Sequence, residues 1–90
     1  MDITIEELND KLKGKVDFFS YKIKGSVSYI TSYCRSAMID DEGVDIKNNL
    51  VVVVFFQNND MFEFAFDDFE TRGDYLKFYK DDAVLTLRIK

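Results

Sequence analysis

Histidine is absent from these 90 residues, and so are proline and tryptophan; there is one cysteine and there are four glycines. Each shortage removes a class of chemistry. Without an imidazole, nucleophile-and-base catalysis loses its usual base, although serines stand at positions 20, 26, 28, 32 and 36. One cysteine and no histidine cannot assemble a zinc site, and a single thiol closes no intrachain disulfide. The glycines at 14, 25, 43 and 73 stand apart, so no glycine-rich phosphate loop exists. Asp40-Asp41-Glu42-Gly43 lacks the alternating ligands that an EF-hand loop places before its glycine. The longest apolar run, Leu50 to Phe56, is seven residues, well short of the roughly 18 needed to span a bilayer. The start, Met1-Asp2-Ile3-Thr4-Ile5-Glu6-Glu7, has neither the basic nor the apolar stretch of a secretory signal. With the lone Cys34, this sets the expectation of a reducing, cytoplasmic location.

What the chain has is apolar bulk and acid. Hydrophobic residues make up 47% and charged ones 32%, with nine Phe and five Tyr. That composition excludes intrinsic disorder. A domain this small has a thin margin of stability, and large aromatic side chains are the direct means of building its core. With no linker, repeat or proline-rich stretch, residues 1–90 are expected to form a single domain.

Thr4 and Glu7 have the spacing of a capping box, and Ile3 and Leu8 that of a hydrophobic staple. Ile5, Leu8 and Leu12 share a face, and Gly14 reads as a stop that tolerates a left-handed conformation. Residues 5–13 are therefore predicted helical. Val16 to Lys24 alternates as a half-buried strand. Leu50 to Gln57 is β-branched and short enough for a strand buried on both faces, and Asn58-Asn59-Asp60 turns it into a second strand over 61–66. Leu85, Leu87 and Ile89 alternate again at the end of the chain.

Two segments read both ways. Residues 26–38 are a strand with Val27, Tyr29, Thr31 and Tyr33 on one face, entered through a tight hairpin turn at Gly25-Ser26, or a helix with Val27, Ile30, Cys34 and Met38 on one face; propensity favours the strand. Asp68 to Tyr79 reads as a helix capped by Asp68, with Gly73 arguing for a break in its middle. The expected fold is α+β: one antiparallel sheet of four to five strands with the N-terminal helix on one face. A ferredoxin-like βαββαβ order with an extra helix is the alternative.

The net charge of −5 is unevenly spread. Residues 1–39 carry +1 and residues 83–90 carry +2, while residues 40–82 hold twelve acids against four bases, or −8. The acids fall in turn-like sequence: Asp40, Asp41, Glu42 and Asp45; Asp60; Asp67, Asp68, Glu70 and Asp74; Asp81 and Asp82. Turns built from Asp on a solvated surface account for any one cluster. All of them in one stretch point to a surface that repels nucleic acid and seeks basic partners. Phe62-Glu63-Phe64-Ala65-Phe66 has the aromatic alternation of an RNA-binding strand without its basic residue and glycine, and Glu63 and Asp67 would oppose a phosphate backbone. Core packing is the better use of those rings.

In size and charge the chain resembles the small acidic inhibitors that phages carry against host defence, anti-CRISPR and anti-restriction proteins among them. The resemblance rests on composition and no motif carries it. It implies a protein-binding module without enzymatic activity, metal or cofactor, which occupies the basic nucleic-acid-binding site of a partner protein, for instance a nuclease. The expected contact residues are Asp67, Asp68, Glu70 and Asp74, with Asp40, Asp41, Glu42 and Asp45 as a second group. An assembly subunit that pairs with a copy of itself through a sheet edge is the alternative.

Overall fold

The computed structural model describes residues 5–24, 29–40 and 50–90. Among these described residues one helix, α1 (Ile5–Lys11), precedes eight strands: β1 (Val16–Ile23), β2 (Tyr29–Thr31), β3 (Cys34–Asp40), β4 (Leu50–Phe56), β5 (Met61–Phe66), β6 (Asp68–Arg72), β7 (Tyr75–Lys80) and β8 (Ala83–Ile89). The strands form two antiparallel sheets, one of five in the order β2-β1-β8-β7-β6 and one of three in the order β3-β4-β5.

The α+β class holds, and the single sheet expected from the sequence becomes two. The reason lies in the amount of apolar surface to be covered. A helix of seven residues cannot cover a sheet lined by Phe19, Leu76, Phe78, Leu85 and Leu87, all buried. The smaller sheet does so with Val52, Val54, Phe64 and Phe66, which join the same core. Ring contacts give the crossing. Phe62, early in β5, meets Phe19 and Tyr21 of β1 at 5.4 and 5.0 Å. Four residues later Phe66 meets Phe78 of β7 at 4.9 Å and Phe69 of β6 at 6.1 Å. β5 thus runs across the strands of the larger sheet, an arrangement of face-to-face sheets with crossed strands.

The helix lies beside the edge strand β3 rather than on the face of a single sheet. Leu8 and Leu12 are in the core, and the Asn9 Oδ1 accepts the Ile39 backbone N–H at 3.3 Å. The Thr4 cap and Ile3 staple fall outside the described residues. Gly14 does not take the left-handed conformation; positive φ among the glycines is described at Gly73 alone. Gly14 is needed because a Cβ there would stand 2.5 Å from the Lys90 carbonyl oxygen and 2.7 Å from the Ile89 Cγ2.

The ferredoxin-like alternative fails at both ambiguous segments. Residues 29–40 supply two strands that belong to different sheets, with Tyr33 N–H turning back to the Thr31 Oγ1 at 3.0 Å between them. The Gly25-Ser26 turn lies outside the described residues. Asp68 to Lys80 is a hairpin and contains no helix. Arg72 pairs with Tyr75, and Gly73, at φ +58°, opens the two-residue turn. The glycine that weakened the helical reading is the turn itself.

Candidate functional site

The β5–β6 crossing and the β7–β8 turn carry adjacent acids to one corner of the larger sheet. Asp67 leaves the small sheet after Phe66, and its backbone N–H donates to the Tyr79 carbonyl at 3.0 Å. Asp68 then pairs with Tyr79 across the β6–β7 ladder. One residue past Tyr79, Lys80 pairs with Ala83, so Asp81 and Asp82 form the turn beside the same strand ends. Asp81 takes φ +52°, which an aspartate tolerates better than most residues. All four side chains are exposed. The corner is well anchored: the Asp68 Oδ1 accepts the Phe69 N–H at 2.8 Å, and the Asp82 carbonyl accepts the Lys24 N–H at 3.1 Å. Lys80 enters it, with its Nζ 3.8 Å from Asp67.

Asp40 ends β3 in the row of Val51 and Ala65, at the end of the small sheet from which β5 departs toward Asp67. It belongs to the same side of the molecule and is half-buried. Asp41, Glu42 and Asp45 lie outside the described residues.

The remaining two expected contact residues are not part of this corner. Asp74 sits at the far end of the β6–β7 hairpin, where its carbonyl accepts the Ile89 N–H at 2.9 Å. It shares a hollow of about 180 Å³ with Lys11, Gly73, Leu76 and Ile89. Glu70 faces outward from the middle of β6 and is already engaged. The Tyr79 hydroxyl donates to its Oε1, and the Arg72 Nε stands 3.5 Å from its Oε2. The Tyr79 hydrogen bond, chiefly, holds the Glu70 carboxyl below its ordinary range against the opposing effect of burial, and Arg72 adds to it. The same bond pushes the Tyr79 hydroxyl up to about 12.

The outer face of the five-stranded sheet mixes charge of both signs. Arg72, Tyr75, Arg88 and Phe18 form one cross-strand row, and Glu70, Lys77, Thr86 and Ser20 the next. The small Thr86 leaves a shallow depression of about 260 Å³ among Arg72, Tyr75 and Lys77. Arg88 lies 6.0 Å from the centroids of both Phe18 and Tyr75. It donates from Nε and a terminal nitrogen to the two oxygens of Asp17 at 2.7 and 3.2 Å. The bulge between Val16 and Phe18 is what turns Asp17 toward Arg88. That hydrogen bond to Arg88 is the main reason the Asp17 carboxyl is held below its usual value.

Sequence reasoning counted Asp81 and Asp82 among the acids but did not place them with Asp67 and Asp68. The signal was an Asp-Asp pair between two alternating stretches, hidden by the helical reading of residues 68–79. Cys34 is fully buried, and burial pushes its thiol up, as befits a packed rather than a reactive cysteine. Among the described residues no group of three metal-ligating side chains converges, and no helix is long and apolar enough to cross a membrane. Compared with protein-family models, curated proteins and solved structures, the chain matches none.

Proposed function

We propose that this protein is a small binding module whose acidic corner docks on a basic site of another protein and, by occupying it, inhibits the binding of nucleic acid there. The supporting observation is the convergence of Asp67, Asp68, Asp81 and Asp82 on neighbouring strand ends, with Lys80 close to Asp67. Carboxylates grouped on neighbouring strand ends present concentrated negative charge to a basic site, as a row of phosphates does. Main-chain hydrogen bonds fix the corner, so docking costs less ordering than it would from a mobile loop. A basic, nuclease-like partner in the cytoplasm fits this reading, as does the charge of the phage inhibitors that the composition resembles. The corner offers charge, not catalytic chemistry. Asp17 and Glu70, the carboxylates held below their usual range, are both occupied by neighbouring donors.

The test is affinity capture from a bacterial lysate with two baits, the wild type and the variant Asp67→Asn, Asp68→Asn, Asp81→Asn, Asp82→Asn. Asparagine keeps the shape, the Phe69 N–H acceptor and the tolerance of positive φ. A basic protein retained by the wild type, lost from the variant, and released by salt or by duplex DNA supports the proposal. Identical capture by both baits overturns it.

A second reading, assembly through a sheet edge, is favoured by a different observation: the exposed apolar residues of β2.

A further inference from the structure

We infer that the depression on the outer face of the five-stranded sheet is a binding site for a small aromatic acid, with the ring on Tyr75 and Thr86 and the carboxylate between Arg72 and Lys77. The site is separate from the acidic corner. Arg72 and Tyr75 flank the Gly73 turn, at the opposite end of the β6–β7 hairpin from Asp68 and Tyr79. Binding here neither needs nor excludes docking of that corner.

The charge of the ligand follows from the lining. In a chain of seventeen acids and twelve bases, two of the four described residues around this depression are cations and none is an acid. Glu70 stands opposite Lys77 in the ladder, but the Tyr79 hydroxyl donates to its Oε1 and the Arg72 Nε approaches its Oε2 at 3.5 Å. Among the described residues Lys77 is left without a carboxylate at ion-pair distance. The Arg72 guanidinium keeps donors beyond the one that faces Glu70. A carboxylate entering between the two cations takes up both.

The rest of the ligand follows from shape. Between the charged heads the lining is apolar, from the Tyr75 ring, the Thr86 side chain and the methylene stems of the two cations. Tyr75 is ordered beforehand, packed edge-on against Phe18 at 6.2 Å and beside Arg88, which Asp17 holds. A wall already ordered costs less on binding than one that must still be fixed. At about 260 Å³ the depression is smaller than the roughly 300–1,000 Å³ of sites for drug-sized ligands, so it takes a single ring rather than a nucleotide. So small a ligand in an open site binds with a dissociation constant on the order of 1 mM.

Titration of the full chain with phenylacetate, followed residue by residue in amide NMR spectra at fixed ionic strength, tests the inference. Shifts should saturate and centre on Arg72, Tyr75, Lys77 and Thr86. 2-Phenylethanol has the ring without the charge and acetate the charge without the ring; each should bind roughly fivefold more weakly or worse. Lys77→Gln should weaken phenylacetate by a similar factor. Lys22→Gln, on the same face but outside the depression, should not. Thr86→Phe sets a ring where that of the ligand would lie and should abolish binding. A half-buried strand position accepts Phe, and unchanged shifts elsewhere would show the sheet intact. Acetyl-Gly-Phe with a free carboxyl group separates the two sources of this chemistry: binding tighter than that of phenylacetate assigns the site to a peptide C-terminus, and weaker binding to a free acid. Shifts that never saturate or that spread over the lysines in general, equal binding of 2-phenylethanol, or undiminished binding by Thr86→Phe overturns the inference.

Discussion

Tyr79 and Glu70 illustrate how a single contact changes what an acidic residue can do. Glu70 was expected to meet a partner, yet its oxygens already receive the Tyr79 hydroxyl and face Arg72. Its folded-state carboxyl binds a proton less readily than in the unfolded chain. The stability it contributes is therefore present above the ordinary glutamate pKa of about 4.3 and is lost as pH falls through the lowered value. Tyr79 acts in the other direction. With its hydroxyl raised to about 12, its contribution is complete below the ordinary value near 10 and is lost as pH rises through about 12. Tyr79→Phe should thus lower the denaturation midpoint most near neutrality, and the gap from wild type should narrow in acid and in strong alkali. Denaturant titrations across that range check this, and a gap that does not change with pH contradicts it. The sequence could identify Glu70 as acidic but not as engaged, because its partner lies across a hairpin that local periodicity did not resolve.

Elements with a strong period-two pattern were legible. The strand over 61–66 and the C-terminal strand appear where alternation placed them, β4 appears where the continuous β-branched run placed a strand buried on both faces, and Phe64 and Phe66 are buried in the core. Phe64→Ala should cost about 3–5 kcal/mol in denaturant unfolding; a near-neutral value would mean that this side of β5 does not pack as described. Alternation reports that one face of a strand is buried, not which layer buries it, so one sheet was expected where two lie face to face. Gly14 was illegible for a related reason. Its requirement comes from Lys90, far along the chain, and nothing near position 14 announces it. The two described glycines separate the causes cleanly. Gly14→Ala forces a side chain against backbone and should cost about 1–3 kcal/mol by overpacking. Gly73→Ala has open space but φ +58°, and should cost about 1–2 kcal/mol through conformation alone. Thermal or denaturant unfolding of both variants measures the difference.

For the whole molecule, charge along the sequence proved a coarse guide to charge in space. The described part of the −8 stretch folds into an acidic corner, an outer face of mixed sign, and an Asp74 that stands at the far end of its hairpin beside Lys11. Asp67 and Asp68 were legible as contact candidates because they follow directly on a secure strand. Asp81 and Asp82 join them only through the register of β7 with β8. The account rests on this corner, so the most direct test is a titration of the captured basic partner with the wild type and with the variant neutralised at residues 67, 68, 81 and 82, each at two ionic strengths. The wild type should bind more tightly at low salt and compete with duplex DNA. The variant should bind more weakly, mainly through slower association, and its residual affinity should respond less to salt. Equal affinities for the two proteins, both indifferent to salt, would contradict the acidic corner as the working surface.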